Sequence, residues 1–242
     1  MLFLANSLNR MKETPLGTRI AEVHNGSSLF TGSAGGGESN LRRHIIENDL
    51  LEAIVAMPER DFYNTGIGTY VWIVTNRKEP RRRGKVQLID ATAISTPLKK
   101  NLGEKNCETS PADCDRILRL LRGFKETPES KIFRNEEFGY WEVPVLRPKR
   151  DAEGKVVLKK GKPVLARSRG EVEQIPLTCP GGIEAFYERE VKPYDAEAVV
   201  GYELSFTKYF YKPVELRPMN EIEDDLARLE RETAGLLKEV LS

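Results

Sequence analysis

Leu51-Glu-Ala-Ile-Val-Ala-Met-Pro58, Asp61-Phe-Tyr-Asn-Thr-Gly-Ile-Gly68 and Thr69-Tyr-Val-Trp-Ile-Val-Thr75 follow one another almost without a gap. The first is a short apolar run closed by proline, the pattern of a buried strand. The last is β-branched and aromatic nearly throughout, which suits a pleated, packed surface. Between them lies a polar, aromatic loop. Upstream, Arg19 to Val23 is a short strand with a turn-rich exit, His24-Asn-Gly-Ser-Ser-Leu-Phe30. A glycine-rich loop from Ser33 then leads to Ser39, a plausible N-cap for a helix whose inner face carries Leu41, Ile45 and Ile46. Downstream, Arg81-Arg-Arg-Gly84 makes a basic turn and Lys85 to Ile89 a further strand. One helical crossover followed by hairpin-like neighbours predicts a mixed sheet, parallel in part with an antiparallel edge.

Outside this region the signals thin out. Phe3, Leu4, Leu8 and Met11 recur at helical spacing, which predicts a helix over 3–12 before Pro15 and Gly17 break it. Ile117, Leu118, Leu120 and Leu121 predict a helix over 113–124. Arg147 to Ala166 has the pattern of a hairpin, with Asp151-Ala-Glu-Gly154 as its turn and Val156, Val157, Val164 and Leu165 in its arms. Residues 166–200 are polar, with scattered prolines and glycines, and give no firm element. At the end, Pro218 precedes a helix in which Ile222, Leu226, Leu229, Thr233, Leu236 and Val240 form an a/d seam. It spans fewer than three heptads. It either lies on the chain's own core or joins a helical bundle with another subunit.

With 242 residues, 39% hydrophobic and 31% charged, the chain has the make-up of a globular protein with a polar surface. No apolar run approaches the ~20 residues of a membrane helix, and the start has no basic segment of a signal peptide. The three cysteines, Cys107, Cys114 and Cys179, suit a reducing cytoplasm rather than a disulfide framework. With only His24 and His44 to join them, they make no zinc signature, and no metal is expected. The net charge of +1 lacks the basic excess of many nucleic-acid binders. Any DNA contact must therefore be local, or shared with a partner.

Four features of the sequence are candidates for chemistry. Gly32-Ser-Ala-Gly-Gly-Gly-Glu-Ser39 fails as a phosphate loop, because Glu38 places an anion where a lysine is needed. It reads as a connector or a mobile clamp. Phe62-Tyr-Asn-Thr-Gly-Ile67 sits at a strand end, where open α/β sheets place their sites. Aromatic faces stack on bases, and Asn64 and Thr65 can read a base edge; alternatively, Phe62 and Tyr63 only close the core. Arg81, Arg82 and Arg83 either meet a DNA backbone or decorate a solvated hairpin tip. His24 follows a strand and can reach a site, whereas His44 sits on a helix. The Gly-x-Ser-x-Gly elbow of a serine hydrolase is absent.

Taken together, these segments resemble the second half of the N6-adenine methylase domain in modification subunits of type I restriction–modification systems. The resemblance rests on Ile20–Phe30, Gly37–Arg43, Leu51–Pro58, Phe62–Ile67, Thr69–Val74 and Lys85–Asp90, in that order. The run Gly201–Tyr211, with Arg217-Pro218 and Glu221-Ile222, is similar to the C-terminal segment of the same subunits. The family implies a Rossmann-like methyltransferase fold, here a partial α/β sheet with a less regular α+β middle and a C-terminal helix. It implies S-adenosylmethionine as methyl donor, and DNA, a specificity subunit and a restriction subunit as partners. By resemblance, Phe62 or Tyr63 packs on a flipped adenine, Asn64 and Thr65 line its pocket, and Ile222, Leu226, Leu229, Leu236 and Val240 dock a subunit. Residues 1–103 then belong to the methylase domain, 104–195 to an α+β insert and 196–242 to the docking segment.

The departures from the family are as informative. The acidic-start glycine motif for the donor and the Asn-Pro-Pro-aromatic catalytic motif are both missing. This implies a truncated subunit or a split gene product, inactive alone, that needs an N-terminal methylase half. The competing expectations are a non-catalytic assembly module that binds a helical partner, and a small-molecule α/β enzyme using the glycine loop.

Overall fold

The computed structural model describes residues 1–144 and, beyond them, 147–148, 153, 155, 157–159, 162–163, 165–166, 172–186 and 199–202. The chain divides into two units, 1–209 and 210–242. The second lies outside the described residues, and with it the expected docking helix and Ile222, Leu226, Leu229, Leu236 and Val240.

The first unit is built on a five-stranded sheet. Its strands are β1 (Arg19–Asn25), β2 (Leu51–Ala56), β3 (Thr69–Thr75), β4 (Lys85–Asp90) and a later strand, β7 (Ser130–Arg134), in the order β1-β3-β2-β4-β7. Only β2 and β4 pair in parallel; the other three pairings are antiparallel. This is the expected mixed sheet, with one difference. β3 and β4 are not neighbours, because β2 lies between them. The basic turn joining them is therefore a crossover and not a hairpin tip. It includes one turn of 3-10 helix, Pro80–Arg82.

Every residue of β2 is buried, which is why its sequence is a nearly unbroken apolar run. Strand alternation divides the core. Ala53, Val55, Ile73 and Ile89 face Ile117 of α4 (Pro111–Gly123). On the other side Trp72 donates to Ser28 Oγ at 3.1 Å, and the buried Arg42 of α3 (Gly37–Glu47) donates to the Ser28 carbonyl. Ser28 lies in the short α2 (Ser27–Phe30) and so ties strand and helix together.

Helix boundaries depart from expectation where caps decide them. The first helix, α1, ends at Leu8, with Met11 beyond it. α3 starts two residues before Ser39, from an extended Gly36, and Ser39 is buried in its first turn. α4 starts from a reciprocal capping box in which Ser110 Oγ accepts from the Asp113 N–H and Asp113 accepts from the Ser110 N–H. The hydroxyls of Ser110 and Thr96 hold the Asp113 carboxyl below its usual range.

The sheet does not stop near residue 103. β5 (Thr96–Leu102) and β6 (Lys105–Glu108) form a hairpin. α4 then covers one face, and β7 adds the fifth strand. A second sheet has β8 (Gly139–Pro144) at its centre. The expected 147–166 hairpin is present, as β9 (Arg147–Pro148) pairs with β12 (Leu165–Ala166) and β10 (Leu158–Lys159) with β11 (Lys162–Pro163). The inner register puts Lys159 opposite Lys162 and the outer one Pro148 opposite Leu165, so neither pairing is centred on Asp151-Ala-Glu-Gly154. Two further strands, β13 (Val172–Pro176) and β14 (Val199–Tyr202), flank β8. No helix among the described residues is long and apolar enough to cross a membrane.

Candidate nucleic-acid interface

The loop between β2 and β3 opens at the C-terminal end of a fully buried strand, beside the C-terminal end of its parallel neighbour β4. Ala56 pairs with Asp90 there, and Thr69 and Tyr70 begin β3 beside Asn25 and His24 at the end of β1. Pro58 is buried and turns the chain out of the sheet. Arg60 and Asn64 then both adopt left-handed backbone, with φ 59° and 58°. Asparagine tolerates that conformation, but arginine adopts it only where surrounding contacts impose it.

The loop turns its aromatic side chains outward. Phe62 is 39% exposed, Tyr63 66% and Ile67 55%. The alternative in which Phe62 and Tyr63 close the core is therefore not how they lie. Asn64 is exposed, and Thr65 Oγ1 accepts from the Ile67 N–H at 3.4 Å. At the foot of the loop, burial pushes the Tyr70 phenol up, with the charges of Asp90 and Glu59 adding to the shift. His24 packs edge-on against Trp72, and its Nε2 lies 3.2 Å from Glu22 Oε1. Burial lowers the His24 imidazole, against the opposing pull of Glu22.

The arginine cluster is elsewhere. Residues 76–84 leave β3 at Thr75 and enter β4 at Lys85, at the end of the sheet opposite the loop. With strands of six or seven residues the separation is roughly 20 Å. Arg82 points inward. It is 2% exposed, donates to Gln87 Oε1 at 3.0 Å and to the Leu121 carbonyl, and lies 4.4 Å from the centre of the Phe124 ring. Its Nε is 3.6 Å from the buried Glu52, which Arg19 also contacts at 2.9 Å. Arg81 donates to the Arg122 carbonyl and pairs with Glu79. Two of the three arginines thus cap the C-terminal carbonyls of α4. Only Arg81 and Arg83 reach the surface. The expected three-arginine contact to DNA is corrected for Arg82, which anchors the crossover from within.

Beside it Lys78, also buried, donates to Asp49 Oδ1 at 2.6 Å and to the Lys85 carbonyl. Burial alone would raise the Asp49 carboxyl. Hydrogen bonds from Lys78, the Gly84 N–H and Asn135 prevail and hold it below its usual range.

The glycine-rich loop receives a carboxylate from within the protein, since Glu142 of β8 accepts the Ala34 N–H at 3.1 Å. Among the described residues no group of three or more His, Cys, Asp or Glu side chains gathers as a metal site.

A model of the N-6 DNA Methylase family matches residues 3–137, which include the whole 57–68 loop. The methylase subunit of the type I restriction enzyme MjaVII from Methanocaldococcus jannaschii is 30% identical over 176 residues, covering 65% of this chain and 29% of that subunit. The MjaIX methylase subunit of the same organism is 42% identical over 115 residues, covering 47% of this chain and 19% of that subunit. The chain thus spans less than a third of the length of the curated relatives it matches. A solved type I restriction–modification methyltransferase subunit from Streptococcus thermophilus aligns over 57% of this chain and 27% of its own, at 22% identity and a TM-score of 0.48.

Proposed function

The chain belongs to the N-6 DNA methylase family, and from that premise we propose that it is part of a type I modification methyltransferase that methylates adenine N6 in DNA. One observation carries the assignment of the site. Phe62 and Tyr63 are held outward, at the end of the sheet's fully buried central strand, by a loop that lies wholly within the family match. An exocyclic amine cannot be attacked within the base stack, so the target base must leave the duplex for a pocket that binds its face and edge. In this reading Phe62 or Tyr63 stacks on the extruded adenine, and Asn64 and Thr65 line its edge.

S-adenosylmethionine is the donor the family uses in general. The residues at this end of the sheet do not fit it as a complete site. The glycine-rich loop is bonded to Glu142, Asp61 to Lys105 and Thr109, and Asp90 to Thr92. The sequence contains no Asn-Pro-Pro. The groups that hold the donor and polarise the amine therefore belong, in this reading, to the remainder of such a protein, and no step through the donor is assigned to these residues. DNA, a specificity subunit and a restriction subunit are the proposed partners, with 196–242 as the docking segment.

The test is methyl transfer. The chain is co-expressed with a candidate donor-binding methylase half and a specificity subunit, and labelled methyl in DNA is counted for wild type and for Phe62→Ala/Tyr63→Ala. The reading expects transfer only in the assembled complex, lost in the double variant while assembly persists. Transfer undiminished in the double variant removes the loop from the site.

A further inference from the structure

The loop that carries Phe62 and Tyr63 does not hold its own shape. Apart from the Met57 N–H to Thr69 carbonyl bond at its foot and the weak Thr65–Ile67 turn, its described polar bonds go to the β5–β6 hairpin and the residue after it. The Glu59 carbonyl accepts from Cys107 Sγ at 3.3 Å, and the Arg60 carbonyl accepts from the Asn106 N–H at 3.3 Å. The Asp61 carbonyl accepts from Lys105 Nζ. Three consecutive loop residues are thus gripped by three consecutive residues of β6. The grip falls where Arg60 sits in left-handed backbone, a conformation that persists only when its surroundings fix it.

Asp61 is the centre of the clamp. Its side chain is 10% exposed. Oδ1 accepts from Lys105 Nζ and from the Thr109 N–H, both at 3.1 Å, and Oδ2 accepts from Thr109 Oγ1 at 2.6 Å. At the far end of the hairpin Gly103, with φ +62°, lies directly against the loop. A Cβ added there would stand 2.9 Å from Asn64 Oδ1 and 3.6 Å from the Tyr63 ring. Next to it Leu102 is exposed, as Phe62, Tyr63 and Ile67 are in the loop.

We propose that the β5–β6 hairpin is the outer wall of the base site and that Asp61 is a positioning residue, locking the 62–67 loop to that wall before a base arrives. This rests on the assignment of the loop to the target base. Ordering a loop in advance removes that entropic cost from binding, so the clamp is expected to act on capture of the extruded base more than on affinity for the duplex.

Two readouts test it. In the full 242-residue chain, hydrogen exchange of the 62–68 amides is compared in wild type, Asp61→Ala, Thr109→Val and Lys105→Met. Losing hydrogen bonds to a buried charged group predicts roughly tenfold faster exchange in the loop, with β2 and β3 unchanged. Asp61→Asn keeps an acceptor for the Thr109 N–H and is expected to restore most of the protection. Thr109→Val removes the hydroxyl bond and Lys105→Met both ammonium bonds from the other side, and these two variants decide the matter should Asp61→Ala not fold. In the assembled enzyme, a duplex with 2-aminopurine at the target position reports extrusion by its fluorescence. Asp61→Ala is expected to weaken that signal roughly tenfold at unchanged duplex affinity. Unchanged loop exchange overturns the clamp. Faster exchange with a full fluorescence signal overturns the hairpin's place in the site. A wild-type enzyme that gives neither methyl transfer nor fluorescence overturns the base-site assignment itself, and the inference with it.

Discussion

Replacing Arg82 by methionine tests whether the basic crossover is structural. The side chains of Arg82 and Glu52 are 2% and 5% exposed, and the amide of Gln87 is fully buried beside them. The substitution removes the cation but leaves the carboxylate, Gln87 Oε1 and the Leu121 carbonyl in place. Removing one partner of a buried ion pair costs about 3–5 kcal/mol, mostly because a buried charge is left behind. Arg19 still contacts Glu52 at 2.9 and 3.3 Å, which points to the lower end, about 3 kcal/mol. For a unit of this size that corresponds to a melting temperature lower by about 6–12 °C. Urea unfolding followed by the fluorescence of the buried Trp72, checked by calorimetry, measures it. Arg83→Met, at an exposed position, is the control and is expected within about 0.5 kcal/mol of wild type. Glu52→Gln added to Arg82→Met is expected to cost less than the sum of the two, since the carboxylate that Arg82 leaves behind is then gone as well. If Arg82→Met unfolds with Arg83→Met, Arg82 does not anchor the crossover and the assignment made here is wrong.

Phe62→Ala and Tyr63→Ala remove exposed rings, so unfolding midpoints stay within about 0.5 kcal/mol of wild type. Methyl transfer by the assembled enzyme is expected to fall roughly tenfold to a hundredfold, the scale of one lost base stack. Asp49→Asn probes pH. The folded Asp49 carboxyl is held below its usual value of 3.8, so the unfolded chain takes up the proton first as pH falls. Its contribution is present above about pH 4 and is lost below it. Wild type is therefore more stable than Asp49→Asn at neutral pH, and the gap narrows on acid titration; a gap independent of pH contradicts the assigned role. Ser110→Ala removes the N-cap of α4 and is expected to cost about 0.5–2 kcal/mol in thermal unfolding.

The central strands were legible because burial on both faces leaves a compositional mark. Leu51–Ala56 and Thr69–Thr75 are apolar or β-branched nearly throughout, and both are strands as expected. The exposed loop between them was legible as well, since aromatic residues in a polar turn are conspicuous. What the sequence hid was partnership. Nothing local says that β2 sits between β3 and β4, so the basic run looked like a hairpin tip or a DNA contact. Its middle arginine proved buried because Glu52, thirty positions upstream, faces it from a central strand. A glutamate inside an apolar strand run was the available signal. Thr96–Leu102 gave no strand signal, because the strand is largely exposed and carries none of the alternation that marks a half-buried one. Asp61 likewise gave no sign of its role, which depends on Lys105 and Thr109, more than forty residues away.

The assignment of the 62–67 loop to the target base is tested most directly by crosslinking. Once methyl mapping has fixed the modified adenine, that base is replaced by 5-iodouracil in a duplex. The assembled enzyme is bound and irradiated, and the attached peptide is sequenced. The account predicts attachment at Phe62 or Tyr63, and loss of most crosslinking in the Phe62→Ala/Tyr63→Ala variant at unchanged duplex binding. Attachment to another subunit, or to a segment of this chain outside residues 57–68, would contradict it.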